Sequence, residues 1–281
     1  MKSRKILSKK DVVVVSGCVV FLLATLGAIG SSGRRRAKEA VCLSNLRQWG
    51  SAFLAFTEDN EGYFMEGWTN QQVVGPPHKR YWMEALRTYY DNPDLRCCPE
   101  AVIPGTEIGL GQFGVGGGSF SAWGVFSGEC GEPSPLWPWV VGCDYGSYGI
   151  NAWVHNIDVH QTWGISNKDI HWRTPNNEGA EDVPLFGDHH FIDCWPDNTD
   201  NPPAWDGQDW NHCSQMGRIC MNRHSGFVNW VFLDGSARKV GLKQLWRLKW
   251  HREYDTCGPW TQCGGVEAED WPEWMQDFED Y

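Results

Sequence analysis

The 281-residue chain carries 24 Lys and Arg against 35 Asp and Glu, a formal net charge of −11. That balance excludes a nucleic-acid partner, which would need a basic face for the phosphates. Eighteen Trp, 32 Gly and 15 Pro describe a loop-rich body pinned by large aromatic side chains, and the length suffices to bury a core.

In chain order, residues 1–11 form a basic flank with Lys2, Arg4, Lys5, Lys9 and Lys10. Residues 12–30 (VVVVSGCVVFLLATLGAIG) hold no charge and approach the roughly 20 residues a helix needs to cross a bilayer. This predicts a transmembrane helix over 12–30. A cleaved signal peptide, with Ala28-Ile29-Gly30 as a small-x-small site, is its main rival. No proline interrupts residues 31–57, where Leu43, Leu46, Gly50, Phe53 and Phe56 recur at three- and four-residue steps. One helix face therefore continues past the membrane, and Glu58–Gly62 ends it with turn residues.

Residues 58–263 are expected to fold as an extracytoplasmic α+β domain. Tyr81–Tyr90 reads as a short amphipathic helix, and 103–138 as an irregular Gly/Pro-rich insertion. Ser147–Val154, Asp182–Gly187, Phe227–Leu233 and Ala237–Leu242 read as strands of an antiparallel sheet. Asp234-Gly235 is a strong hairpin turn signal between the last two. Residues 242–252 read as a basic helix. Residues 264–281, with seven carboxylates, read as an exposed acidic tail.

Ten cysteines lie outside the apolar run: Cys42, Cys97, Cys98, Cys130, Cys143, Cys194, Cys213, Cys220, Cys257 and Cys263. Such an even set in a loop-rich body predicts several disulfides and an oxidising compartment. Zinc is the weaker reading, since no Cys-x-x-Cys pair occurs. A Cys-rich body outside the cytoplasm places the protein in the inner membrane as a single pass, amino end inside, body periplasmic or at the cell surface. Asp188-His189-His190, His212 and Cys213 are metal-capable, but adjacent His residues on a strand point to opposite faces. Asp193, Asp197, Asp200, Asp206 and Asp209 could supply oxygen ligands to calcium, though not at EF-hand spacing. No other cofactor is called for. His224 and Asp234 could form a base and its partner, but Asp beside Gly favours the turn itself, and no nucleophile comes with a recognisable frame. The expectation is therefore a non-enzymatic protein.

Four segments carry a resemblance. Cys42-Leu43-Ser44-Asn45-Leu46-Arg47-Gln48 precedes Asp59–Phe64; Cys98-Pro99 and Tyr148-Gly149-Ile150-Asn151 follow; His224 is followed by nine residues and then Asp234-Gly235. Together they resemble the prepilin-type proteins with a His-(nine)-Asp-Gly motif found in planctomycete- and lentisphaera-like bacteria. The resemblance implies a pilin-like α+β fold, a long amino-terminal helix with its first half transmembrane, packed on an antiparallel sheet with disulfide-bearing insertions. It also implies work as a pilin or pseudopilin in a filament, type II secretion or surface assembly. The partners would be membrane lipid and other pilin-like subunits or secretion machinery. The register set by Cys42 puts Ile6-Leu7 at the prepilin cleavage point, without the usual Gly and Phe, and Asp11 at the acidic position used in assembly. The alternative is an anchored carbohydrate-binding protein that meets polysaccharide with a Trp-rich surface, since Trp offers an apolar face and one N–H donor.

Overall fold

The structure is a computed structural model that describes residues 9–67, 82–104, 118–124, 145–157, 168–208 and 213–281. Within α1 the side chains at 9–13, 20, 22–29 and 31 fall outside the description. The helices are α1 (Lys9–Asp59, 51 residues), α2 (Trp82–Ala85) and α3 (Glu273–Gln276). The strands are β1 (Ile103–Pro104), β2 (Ser121–Gly124), β3 (Tyr145–Gly146), β4 (Tyr148–Asn151), β5 (Pro184–Asp188), β6 (Asp193–Cys194), β7 (Phe227–Phe232) and β8 (Ala237–Gly241).

The main sheet has five strands in the order β6-β4-β5-β7-β8, and β1-β2-β3 form a smaller one. Neither is purely antiparallel: β4 pairs parallel with β6, and β1 parallel with β2. The expected antiparallel sheet is thus corrected to mixed sheets within an α+β fold. The short strand β6 was hidden because Asp193-Cys194 opens an acidic, proline-containing loop. Likewise β1 and the described strand β2 lie within the span read as an irregular insertion.

The inner strand β7 is largely apolar on both faces, as its position between β5 and β8 requires. Val231 points to one core, formed with Cys42, Leu46, Trp49 and Phe53 of α1; Val228, Trp230 and Phe232 point to another, formed with Trp246, Trp250, Trp271 and Met275. Its hairpin with β8 pairs Phe227 with Gly241 and Val231 with Ala237. Gly235 takes φ 80°, where a side chain would be strained. Asp234 Oδ1 accepts the Ser236 N–H at 2.9 Å, so the turn forms as its residues require.

On α1, Cys42, Asn45, Leu46, Trp49, Phe53 and Phe56 are buried, the three- and four-residue spacing of a docked face. Toward the other end Val14, Val15, Val19 and Phe21 are exposed, Phe21 at 68%. Among the described residues no helix is long and apolar enough to cross a membrane. A span needs about 20 consecutive apolar residues. The described apolar side chains at this end are broken by Ser16 and Gly17, and Arg34, Arg35, Arg36 and Lys38 follow. This finding overturns the transmembrane segment over 12–30. It also overturns the pilin-like fold with a membrane half and the single-pass inner-membrane location.

Two helical readings shrink. Tyr81–Tyr90 yields only the four residues of α2, and 242–252 yields a 3-10 turn, Lys243–Arg247. The acidic tail is not simply exposed: Trp271 and Met275 are buried in the second core, and the Lys243 Nζ sits 2.6 Å from Asp280 Oδ1.

Candidate metal centre

Four side chains from distant segments meet beneath α1. Cys42 comes from the docked face of the helix, and Cys98 from the turn after the 3-10 segment Pro93–Arg96. Asp188 comes from the end of β5, and His224 from the loop before β7. Each offers one ligand atom, and those atoms lie within 4.8 Å of one another. All four residues are buried, from 0% exposure at Cys42, Cys98 and Asp188 to 6% at His224.

Local bonds fix the members. His224 Nε2 lies 3.1 Å from Asp188 Oδ2 and 3.4 Å from Cys98 Sγ. Cys42 Sγ lies 3.9 Å from Asp188 Oδ1 and accepts the Tyr148 O–H at 3.2 Å. The Cys98 N–H donates to Ser147 Oγ at 2.7 Å. Asp188 Oδ2 also accepts the Asn229 N–H at 2.8 Å. The wholly buried Arg223 donates to Asp188 Oδ1 at 2.9 Å and to the carbonyls of Ser119 and Ser147 at 2.7 Å. His224 and Arg223 also line a cavity of about 270 Å³, together with Arg35, Arg36, Glu39 and Glu100.

The electrostatics follow from burial and these neighbours. Burial would raise Asp188, but the charges of His224 and Arg223 outweigh it and hold the carboxylate at about 2. Burial would lower His224, yet the Asp188 carboxylate raises it to about 10. Burial and the hydrogen bond with Cys98 push the Cys42 thiol well up. Cys98, raised by burial but lowered by its bonds to Cys42 and His224, falls to about 7.

Through Cys42, Cys98, Tyr148 and His224 this arrangement brings together four of the stretches singled out in the sequence. Of the His224–Asp234 pair, only His224 joins it; Asp234 serves the hairpin tip. Asp188 joins it without its neighbours, because the His189 Nδ1 instead accepts the Phe191 N–H at 2.8 Å. Among the described residues, the one disulfide is Cys257–Cys263, with Cα atoms 5.3 Å apart. Cys42, Cys97, Cys98, Cys194 and Cys220 are free thiols, and Cys213 bonds to none of them. The expectation of several disulfides is corrected for the five free thiols; Cys194 and Cys220 are buried in the second core, where Cys220 Sγ meets Met275 Sδ at 3.8 Å. Cys130, Cys143, Asp209 and His212 lie outside the described residues, as does the side chain of Asp11.

The carboxylates read as calcium ligands are engaged one by one. Asp193 pairs with Arg218 at 3.2 Å, and Asp197 caps Thr199. Asp200 accepts the N–H groups of Asp197 and Met216, and Asp206 accepts Ser119 Oγ and the Asn222 N–H. Most described tryptophans are core, and Trp205 is the exposed one among them, at 58%. No protein-family model, no curated protein and no solved structure matches the chain.

Proposed function

We propose that the chain is a non-enzymatic assembly protein, whose projecting helix packs against the same helix of further copies. The observation that carries the reading is the contrast along α1. Its buried residues run from Cys42 to Thr57, while Val14, Val15, Val19 and Phe21 are exposed. From Lys9 to Cys42 the helix extends roughly 50 Å at about 1.5 Å per residue. An isolated helix keeps such apolar side chains in water only at a cost, and exposed apolar patches mark interaction surfaces. The resemblance to prepilin-type proteins supports the same reading, as does the buried state of most described tryptophans. The thiol cluster, buried on every member, suits a staple between helix and sheet better than a catalytic centre.

Sedimentation of the full chain over a range of concentrations tests this. Wild type should associate, and Val19→Glu with Phe21→Glu should abolish association while leaving the body's unfolding curve unchanged. A wild-type chain that stays monomeric at every concentration would remove the proposal.

A further inference from the structure

We propose that Cys42, Cys98, Asp188 and His224 bind one zinc ion as a closed, four-coordinate structural centre. The inference stands apart from self-association of the helix. Two thiols, one imidazole nitrogen and one carboxylate are the donor types zinc takes, and four ligands close a structural site. Their spacing fits as well. With zinc bonds of about 2.3 Å to sulfur and about 2.0–2.1 Å to nitrogen or oxygen, tetrahedral edges come to about 3.3–3.8 Å. From His224 Nε2 the observed 3.1 Å to Asp188 Oδ2 and 3.4 Å to Cys98 Sγ need only small shifts; Cys42 Sγ lies 3.9 Å from the other carboxylate oxygen, Oδ1, and all four ligand atoms fall within 4.8 Å of one another.

The rival chemistry is a Cys-His-Asp nucleophile, in which the imidazole would face Cys98 with one nitrogen and Asp188 with the other. Here both contacts fall on the same Nε2. A ring whose single nitrogen faces a thiol and a carboxylate together is pointing at a shared centre, not relaying a proton between them.

Charge gives a third argument. A dication with two thiolates and one carboxylate carries one net negative charge, and the wholly buried Arg223 guanidinium neutralises it. Burying charge is costly unless it is balanced, and this set balances. The outer contacts are those that orient metal ligands: Tyr148 O–H on Cys42, Ser147 on the Cys98 backbone, and Arg223 and the Asn229 N–H on Asp188. The centre would join α1 to β5 and to the loops bearing Cys98 and His224, four segments of low sequence proximity. On binding, the ion displaces the thiol and imidazolium protons to solvent.

The test is metal analysis of the full chain purified under reducing conditions without chelator. One zinc per chain is expected. After removal by chelator, added Co²⁺ should give the intense thiolate-to-cobalt absorption and the visible bands of a tetrahedral site. Cys98→Ser should lose the bound metal and much of the thiolate band, whereas Cys220→Ser, buried away from the cluster, should keep both. Since a ligand variant could fail to fold, Tyr148→Phe provides a milder probe: it keeps all four ligands and should weaken zinc binding by about 10-fold or more. Folded wild type that holds no metal and takes up no Co²⁺ overturns the proposal. So does a Cys42–Cys98 disulfide found by peptide mapping of protein purified without reductant.

Discussion

The two faces of the main sheet are built on different principles. The face under α1 combines a helix stripe of Leu46, Trp49, Phe53 and Phe56 with a buried polar centre in which Asp188 and Arg223 meet. The opposite face is mostly apolar and aromatic, with three buried histidines at one end of it. Trp230 and Trp250, and Trp246 and Trp271, pack there edge to face with ring centres 5.0 and 5.3 Å apart. Regular structure there is sparse: 3-10 turns and the short α3 cover it. The lesson is that a sheet face can be closed by one long element held at a polar anchor, or by many short ones held by aromatic mass.

Breaking the polar anchor should cost most. Arg223→Met leaves the Asp188 carboxylate buried without its cation, which is expected to destabilise by about 3–5 kcal/mol. Urea denaturation measures this; a loss below about 1 kcal/mol would show that the carboxylate is already neutral or otherwise compensated. On the aromatic face, Met275→Ala removes a wholly buried side chain that fixes the tail, with an expected loss of about 2–4 kcal/mol. If the tail were an appendage, that variant would unfold like wild type. Where helix and hairpin meet, Gly235→Val forces a branched residue to φ 80° and should cost about 1–3 kcal/mol.

The smallest effect is in pH, and it belongs to the aromatic face. His155, His171 and His251 gather about Trp153 and Trp195, with ring centres 5.3 Å (His171) and 4.7 Å (His251) from Trp153. Burial, the dominant cause, lowers them to about 3, 4 and 4, even though Asp197 raises His251. His171 and Arg173 work with burial, His171 lowering His155 and Arg173 lowering His171, and Lys249 lowers His251. A folded pKa below the unfolded value means that the unfolded chain binds more protons. Stability from these rings is therefore complete above pH 6.5 and declines as pH falls from about 6.5 toward 4. The melting temperature should drop across that window, and less so in His251→Phe. An equal slope in both proteins would assign the acid response elsewhere.

What the sequence disclosed depended on distance along the chain. The β7–β8 hairpin was legible because Phe227–Leu233, Asp234-Gly235 and Ala237–Leu242 are contiguous, and turn chemistry is local. The docked face of α1 was legible from its 3.6-residue period. The cluster was not, since Cys42, Cys98, Asp188 and His224 share no spacing. Asp188 was read with His189 and His190, its neighbours in sequence, and Cys42 and Cys98 with the disulfide set. The tail misled differently: its seven carboxylates concealed Trp271 and Met275, which decide where it lies. The transmembrane reading rests on the length of the uncharged run 12–30 and on its basic flanks.

Gly50 has a consequence of its own. A Cβ built there would stand 2.8 Å from Val231 Cγ2 and 3.6 Å from the Gly235 carbonyl oxygen, so helix and hairpin touch nearly backbone to backbone. This is a fulcrum. Toward Lys9 the helix runs roughly 60 Å at about 1.5 Å per residue, docked first through Trp49, Leu46 and Cys42 and ion-paired to the body at Glu39 and Lys38. A tilt of about 5° at that seat would carry the far end about 5 Å, close to one helical turn. Gly50→Ala, by wedging the seat open, would tilt the helix without touching any residue nearer Lys9, and one spin label near its Lys9 end paired with another on the main sheet would register the swing.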